Sequence, residues 1–334
     1  MLREKLYCFA ALAVFCVCGL FPQTSQAADK FKVLVVMSYE ENFVWCKDIK
    51  DGIDSVLESS CDIRYSYMDT KTNFAGGQKK AEEAYALYQE FQPAGVITVD
   101  DNAQSMFVVP YLKDKVKIPI MFCGVNAEPE KYGYPASNVS GILERPHIAE
   151  SVAFLKQLVP SAERIGFIAR DSSTTREISE RIQGKADKYP IKFVAFKLPK
   201  TMNEATAETK ELRKQCDALF MANLEGLPGE DGKPMTKKDI IPVLADIFNK
   251  PSITDISKDI KYGIFCSIAV TGQEQGGTSA KMLMKAMQGT PVSQIPITRN
   301  YKGKPMINVT TMRALGIKPK PGILHTAELV TTEK

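Results

Sequence analysis

The chain has 334 residues, of which 44% are hydrophobic and 25% are charged. Its 43 lysine and arginine residues and 39 aspartate and glutamate residues give a formal net charge of +4, with both signs spread along the chain. This near balance excludes the strongly basic surface that nucleic-acid binding needs, so no nucleic-acid partner is expected. The length is sufficient for two domains of ordinary size.

Residues 1–27 have the pattern of a secretory signal peptide. A short basic start precedes an apolar run at 6–21, and Ser-Gln-Ala at 25–27 gives the small-x-small pattern of a cleavage site. A membrane anchor is the alternative, but the apolar run is shorter than the roughly 20 residues that a membrane span needs. We therefore predict cleavage after Ala27 and a soluble protein that is periplasmic or secreted.

From Lys32 the chain alternates apolar runs with stretches of helical spacing, which predicts βαβ units with right-handed crossovers. In the first half, strands are predicted at 32–39, 63–69, 94–101 and 118–125, and helices at 44–58, 78–91 and 102–113. The segment 139–145 interrupts the rhythm, which then restarts. In the second half, strands are predicted at 163–171, 191–199, 216–224, 251–256 and 263–270, and helices at 147–158, 173–188, 203–214, 237–249 and 273–288.

Two successive doubly wound units fit this order of elements. The remaining tail contains a strand-like segment at 297–309 and a short helix that ends near Leu315. It is too short for a third domain. We therefore expect the tail to cross back and complete both lobes.

Residues suited to catalysis or metal binding are sparse. The two histidines, His147 and His325, are far apart and neither is near a plausible nucleophile, and the motifs HExxH, GxSxG and GxGxxG are absent. The cysteines beyond residue 27 are odd in number and form no CxxC pair. We expect no catalytic residue, no cofactor and no metal.

Polar side chains follow several predicted strands, and in open α/β sheets ligands bind beyond the carboxyl ends of the strands. In the first unit the candidate ligand-binding residues are Ser38, Tyr39, Trp45, Asp100, Asp101, Asn102, Gly124 and Asn126. In the second unit they are Arg170, Asp171, Ser172, Asn223, Asp255 and Ser267. Because these groups come from both units, a ligand between two lobes is predicted.

Each candidate also has a structural alternative. Asp100, Asp101 and Asn102 open a predicted helix, where Asp or Asn commonly caps free backbone amides, and the same holds for Ser172 and Asp171. Trp45, the one tryptophan of the chain, could pack in a core instead of covering a ligand. Caps alone do not explain charged residues of both signs after successive strands in both units.

The run IPIMFCGVNAEPEKYGYPASNVSGILE, the later LVPSAERIGFIAR and the closing MINVTTMRALGIKP resemble the ABC-transporter substrate-binding family of type I periplasmic binding proteins. The resemblance extends from about Lys32 to Pro319. The segments MSYEENFVWCKDIKDGI, YMDTK and DDNAQSMFVVPY are also similar to a divergent branch found as extracytoplasmic domains of bacterial sensor proteins, although Met37 stands where that branch has histidine.

The resemblance implies an α/β fold of two Rossmann-like doubly wound lobes, joined by a three-segment hinge and closing on a ligand held between them. The first lobe is then 28–143 with about 271–297, and the second is 144–270 with about 298–334. The crossings would be VSGILER, GIFCSIAV and the segment near 297.

Members of the family that this chain resembles are associated with aromatic or branched amino acids and other small organic molecules, and on that ground we hypothesise a small amino-acid-like ligand. Its carboxylate could meet Arg145 or Arg170, and its ammonium group could meet Asp100, Asp101 or Asp255. The favoured hypothesis is a monomeric solute-binding protein that delivers ligand to an ABC permease in the membrane. A ligand-sensing subunit for a separate sensor kinase is the alternative, and an exported enzyme is a weaker one.

Overall fold

Two β-sheets with helices on both faces make up the fold. The computed structural model describes residues 30–333, and the predicted signal peptide at 1–27 lies outside them. The α/β class is therefore confirmed, with two mainly parallel sheets as a doubly wound fold requires. No helix in residues 30–333 is both long and apolar enough to cross a bilayer.

The first sheet is entirely parallel, in the order β11-β5-β4-β3-β1-β2. Its strands are β1 (Phe31–Met37), β2 (Cys61–Tyr67), β3 (Gly95–Val99), β4 (Ile120–Val125), β5 (Val139–Leu143) and β11 (Thr298–Arg299). The helices of this lobe are α1 (Val44–Leu57), α2 (Gly77–Phe91), α3 (Asp100–Ala103) and α8 (Gly272–Met287). The sheet thus combines a continuous N-terminal segment with one strand from late in the chain.

The second sheet has the order β13-β12-β10-β9-β8-β6-β7, and only its β10–β12 pair is antiparallel among the described strands. Its strands are β6 (Arg164–Ile168), β7 (Lys192–Lys197), β8 (Ala218–Met221), β9 (Ser252–Ile253), β10 (Cys266–Ala269), β12 (Lys304–Asn308) and β13 (Glu328–Val330). Its helices are α4 (Ile148–Leu158), α5 (Ser173–Gln183), α6 (Met202–Gln215), α7 (Lys237–Phe248), α9 (Val309–Ala314) and α10 (Pro321–Thr326).

Strand β1 illustrates why the apolar runs become central strands. Val33, Val35 and Met37 pack into the apolar cluster on one face of the first sheet, whereas Leu34 and Val36 pack into the cluster on the other. All five side chains are fully buried. Since successive strand side chains point to opposite faces, a continuous apolar run is what a sheet covered on both faces requires.

The chain passes between the sheets at 144–147, 270–271 and 300–303. The segments VSGILER and GIFCSIAV, expected as crossings, consist largely of β5 and β10, and each crossing begins directly after the strand. Thr298–Arg299 pairs with β5, so the first sheet extends just beyond the expected boundary near 297. The exact lobe boundaries stay a prediction.

Two of these crossings are bonded to each other through Asn300, which is 3% exposed. The Asn300 side-chain oxygen accepts a hydrogen bond from the Arg145 amide at 2.7 Å, and its side-chain nitrogen donates to the Arg145 carbonyl at 2.9 Å. On the third crossing, the amides of Tyr301 and Lys302 both donate to one carboxylate oxygen of Glu274. The first and third crossings therefore run side by side and are held in register.

Helices α1 and α8 approach each other closely because glycines line their contact. A Cβ added at Gly276 would lie 2.1 Å from the Ile49 carbonyl oxygen, and one at Gly52 would lie 2.4 Å from the Gln273 carbonyl oxygen. Any larger side chain at these two positions would force the helix backbones apart. This contact attaches α8, which follows β10 of the second sheet, to the first lobe.

The helix predicted at 102–113 departs from regular α geometry. It begins as α3 and continues as a π-helical segment, Gln104–Leu112, that contains Pro110. Proline has no amide hydrogen to donate and clashes with the preceding turn, so a widened turn relieves a conflict that an α-helix would carry. The sequence analysis did not anticipate this widening, nor α10 and β13.

Candidate functional site

A cleft of about 440 Å³ opens between the two sheets, at the carboxyl ends of their strands. This volume is within the range of small-molecule sites. From the first lobe it is lined by Tyr39, Phe43, Val44, Trp45, Asp48, Lys71, Asp100, Asn126 and Glu144. From the first crossing and the second lobe it is lined by Pro146, Asp255, Ile256, Ser257, Lys258 and Val270.

Asp100 is the most buried acid of the cleft, at 2% exposure. Its Oδ1 accepts a hydrogen bond from the Trp45 indole nitrogen at 3.0 Å, while its Oδ2 is buried with no hydrogen-bond partner among the described residues. Burial raises the pKa of Asp100 well above its usual value, the nearby Glu144 raises it further, and the Trp45 hydrogen bond opposes the shift. Burying a carboxylate oxygen without a hydrogen-bond donor costs free energy. A ligand that donates a hydrogen bond to Asp100 Oδ2 would remove that cost.

Gly124, at the end of β4, makes room for that carboxyl group. It has a φ of 69°, and an added Cβ would lie 2.8 Å from Asp100 Oδ1. Its amide donates to the Gln275 side chain from α8 at 2.9 Å. Gly124 therefore shapes the cleft without offering a side chain to a ligand.

Two further acids line the cleft from its other walls. Glu144 begins the first crossing and accepts a hydrogen bond from the Asn126 side chain at 3.1 Å, and burial raises its pKa to about 7. Asp255 belongs to the second lobe, and burial raises its pKa to about 6. Asp255 Oδ1 is also buried with no hydrogen-bond partner among the described residues. Acids of both lobes thus meet at one cleft.

Aromatic rings and lysines complete the lining. The rings of Tyr39 and Phe43 pack edge to face with centroids 5.6 Å apart, and Lys71 Nζ lies 4.8 Å from the Tyr39 centroid. From the second lobe, Lys258 Nζ lies 5.2 Å from the Phe43 centroid. The cleft therefore offers an apolar wall and two cations near its acids.

The predicted residues of the first lobe divide between the cleft and its supporting wall. Tyr39, Trp45, Asp100 and Asn126 line the cleft. Ser38, Asp101, Asn102 and Gly124 do not line it. The side chains of Ser38, Asp101 and Asn102 instead make hydrogen bonds inside the protein.

Those partners are backbone and side-chain groups of the same lobe. The buried Ser38 hydroxyl donates to the Val99 carbonyl and accepts from the Ala103 amide. Asp101 accepts from the Asn126 amide at 3.0 Å and from the Tyr132 hydroxyl at 2.6 Å. The Asn102 side chain donates to the Thr70 hydroxyl at 2.8 Å.

In the second lobe, the residues after β6 are engaged elsewhere. The Ser172 hydroxyl accepts from the Thr175 amide and caps α5, which is the alternative that the sequence analysis weighed. Asp171 accepts two hydrogen bonds from Arg176, each 2.6 Å long. Neither residue lines the cleft.

Arg170, Asn223 and Ser267 also lie outside the cleft lining. Asn223 accepts from the Glu225 amide through its side chain, and the buried Ser267 hydroxyl donates to the Thr254 carbonyl at 2.8 Å. Arg170 lies against Gly226, where an added Cβ would be 2.7 Å from its guanidinium. Of the six candidates in the second lobe, the structure brings only Asp255 to the cleft.

Arg145, which the resemblance suggested for a ligand carboxylate, uses its guanidinium inside the protein. It donates to the carbonyls of Val125 and Asn126 and to the Glu128 carboxylate at 2.9 Å. Within residues 30–333 no three His, Cys, Asp or Glu side chains are placed to hold a metal ion.

Lys71, Glu144 and Lys258 are cleft residues that the sequence analysis did not select. Lys71 lies in the turn after β2, Lys258 lies in the 3₁₀ helix Ser257–Tyr262 after β9, and Glu144 lies in a crossing. Glu144 directly follows β5, but the sequence analysis took 139–145 as an interruption and not as a strand, so the rule that selected Asp100 was not applied to it. Both lysines lie several residues beyond the strand that precedes them, so the rule that looks for polar residues directly after strands did not select them.

Comparisons with known proteins identify similar sequences and similar folds. Residues 109–331 match the family model described as "ABC transporter substrate binding protein". A curated relative, the tyrosine-binding protein of Clostridioides difficile (strain R20291), is 22% identical over 191 residues, or 55% of this chain and 51% of that protein. The chain thus spans about half the length of the curated relative it matches.

Solved structures share the fold. A ligand-free, open substrate-binding protein with adhesive properties from Clostridium difficile matches with a TM-score of 0.72 and 18% identity, covering 91% of this chain and 100% of that chain. A domain from Streptococcus pneumonia in complex with L-Trp matches with a TM-score of 0.54 and 18% identity, covering 90% and 99% of the two chains. These likenesses confirm the type I periplasmic binding protein fold.

The family match extends over two thirds of the chain and includes the first crossing and the whole second sheet. Proteins of this family work outside the cytoplasm, and they bind substrates without converting them. The expectation that the chain is not an enzyme is therefore confirmed. The chain belongs to the family of ABC transporter substrate-binding proteins.

Proposed function

We propose that this protein is an extracytoplasmic solute-binding protein that closes on an amino acid with an aromatic or other apolar side chain and delivers it to an ABC importer. The observation that carries the proposal is a pair of buried, unpartnered carboxylate oxygens. Asp100 Oδ2 and Asp255 Oδ1 belong to residues that line one cleft from opposite lobes, and neither has a hydrogen-bond partner among the described residues.

A ligand ammonium group is the donor that suits these oxygens. It carries three hydrogens and a positive charge, so it would satisfy buried acceptors and offset the cost of ionising them. Burial raises the pKa values of Asp100, Glu144 and Asp255. Binding of a cationic group would lower all three pKa values and release protons to solvent.

The remaining lining suits the other two parts of an amino acid. The rings of Tyr39, Phe43 and Trp45 form a wall against which an apolar side chain would lose its contact with water. Lys71 and Lys258 supply positive charge for a carboxylate. The names of two relatives support this ligand class, since one is a tyrosine-binding protein and another was solved with L-Trp.

Closure follows from the division of these groups between two lobes. Asp100 and Trp45 belong to the first lobe, and Asp255 and Lys258 to the second, so a ligand bound to all of them would stabilise a closed arrangement over an open one. Only the difference in contacts between the two arrangements drives the motion. No chemical step is required.

Isothermal titration calorimetry of the purified protein with L-tyrosine, L-tryptophan and L-leucine tests the ligand. Wild type should bind at least one of them, and Asp100→Asn and Asp255→Asn should each weaken that binding by about 30-fold or more, because each removes a buried charge pair. Asp171→Asn is the matched control, since Asp171 pairs with Arg176 outside the cleft. Circular dichroism establishes that each variant is folded.

Two outcomes would overturn the ligand assignment. One is absence of binding for every amino acid tested. The other is an equal loss of affinity in the Asp171→Asn control. Delivery is tested separately by uptake of the labelled amino acid in cells that carry or lack the gene, where loss of uptake without the protein is expected.

A further inference from the structure

A second cavity, of about 450 Å³, lies on the reverse side of the first crossing and concentrates positive charge. Alternate residues of that crossing face different cavities: Glu144 lines the cleft, Arg145 lines the second cavity, and Pro146 touches both. The two cavities therefore share the first crossing as part of their walls. We call the second cavity the hinge pocket.

Four of the cationic residues lining the hinge pocket are exposed and have no carboxylate within 4 Å among the described residues. They are Arg181, Lys185, Lys188 and Arg299. Arg299 comes from β11 of the first sheet, whereas the other three come from α5 and the turns that follow it in the second lobe. Four like charges around one cavity repel each other unless an anion is present.

One acid of this pocket offsets only part of that charge, and the helix end adds to it. Glu150 lines the pocket, with a carboxylate oxygen 3.6 Å from Nδ1 of the buried His147, and it is one carboxylate against four cations. His147 is the N-cap of α4 and Glu150 lies in its first turn, and the N-cap makes no side-chain hydrogen bond to the free amides. These amides add partial positive charge on the same side as the four cations.

We propose that the hinge pocket binds a compact multivalent oxyanion with phosphate chemistry, either a free oligophosphate or a phosphate on a lipid headgroup. Guanidinium groups such as those of Arg181 and Arg299 match phosphate oxygens in pairs, and lysines add point charges from other directions. The bound anion bridges β11 of the first lobe to α5 of the second. It does so behind the hinge, away from the amino-acid cleft.

Titration calorimetry of the full protein with sodium pyrophosphate in about 150 mM NaCl tests the proposal, because nonspecific surface attraction is largely screened there. Wild type should show saturable binding with one site. The double variant Arg181→Gln/Lys185→Gln should weaken it at least tenfold. The control Lys210→Gln/Lys214→Gln removes two exposed cations of α6 outside the pocket and should leave the affinity unchanged.

A second arm separates the two sources of phosphate. Co-sedimentation with vesicles that contain phosphatidic acid, whose headgroup is a phosphate monoester, compared with vesicles of phosphatidylcholine alone, should show binding that the pocket double variant loses if the source is a headgroup. Thermal unfolding establishes that both double variants are folded.

Asp100→Asn should keep its affinity for pyrophosphate, which separates this site from the proposed amino-acid site. The proposal is overturned if neither pyrophosphate nor anionic vesicles bind wild type. It is also overturned if both double variants lose affinity equally, or if Asp100→Asn abolishes pyrophosphate binding.

Discussion

Asp100 has a φ of 66°, in the left-handed region that non-glycine residues rarely adopt, and Gly124 lies against it with a φ of 69°. Such conformations cost about 1–3 kcal/mol and are retained where the surrounding structure demands them. Here the backbone of Asp100 directs its carboxyl group toward Trp45, and Gly124 leaves the necessary space. The strained residue is also the most buried acid of the cleft.

Gly124→Ala should therefore impair the cleft more than the fold. The new methyl group would meet Asp100 Oδ1 at 2.8 Å and displace the carboxyl group, so we expect amino-acid affinity to fall about tenfold or more. Gly232→Ala is the matched control, since Gly232 has a φ of 74° but no atom within 4 Å of the added Cβ. Calorimetry measures affinity and thermal unfolding measures stability. Equal loss of affinity in both variants would contradict the prediction.

Glu144 should make the stability of the ligand-free protein depend on pH. Its pKa is about 7 in the folded state against 4.5 as its ordinary value, so the folded protein holds more protons than the unfolded chain between these values. The contribution of Glu144 to the free energy of unfolding therefore falls as pH rises from about 4.5 to 7. Glu144→Gln removes the carboxyl group that causes this decrease in stability. The variant should therefore raise the midpoint temperature of thermal unfolding at pH 8 by about 2 °C or more, with less effect at pH 4.5.

Differential scanning fluorimetry at the two pH values measures this effect. Glu177→Gln, at an exposed position of α5, is the control and should change neither midpoint. A gain for Glu144→Gln that is equal at both pH values would contradict the assigned cause.

Sequence reasoning found the first-lobe part of this site because its residues directly follow strands. Asp100 follows β3, and Tyr39 lies two residues after β1. In the second lobe the same rule selected Ser172, which caps α5, and Asp171, which pairs with Arg176. A capping side chain and a ligand-binding side chain look alike in sequence, because both are polar groups at a helix N-terminus.

At the level of elements, the contact between α1 and α8 depends on glycines at specific turns. Gly276→Ala should lower the free energy of unfolding by about 1–3 kcal/mol or more, because its methyl group would overlap the Ile49 carbonyl at 2.1 Å. Gly277→Ala, one residue further on the same helix, meets its nearest atom at 3.4 Å and should gain about 0.5–1 kcal/mol from helix propensity. Urea denaturation measures both, and loss of stability in Gly277→Ala would contradict the account.

Regular elements were predictable because their apolar periodicity is strong, and the irregular ones were not. Helices α1 and α2 lie within a residue or so of their predicted spans at 44–58 and 78–91. The π-helical segment around Pro110 and the short α10 depend on backbone geometry and on tertiary contacts. Periodicity over a few residues carries too little information to fix either.

At the scale of the whole molecule, closure around a ligand predicts a change in size. A compact chain of this length has a radius of gyration of about 20 Å, and hinge closure should lower it by an amount on the order of 1 Å. Small-angle scattering with and without the amino acid identified by calorimetry measures the change. Asp100→Asn should show no decrease at the same ligand concentration, and an unchanged radius for wild type would contradict closure.

The hydrogen bonds that join Asn300 to Arg145 have a mechanical consequence. They fasten the first and third connections into one two-stranded ribbon, and the β5–β11 pairing extends that ribbon into the first sheet. Sliding one lobe sideways past the other would break these bonds, whereas bending across the ribbon preserves them. We therefore expect these paired strands to resist lateral sliding of the lobes more strongly than bending about an axis that crosses them.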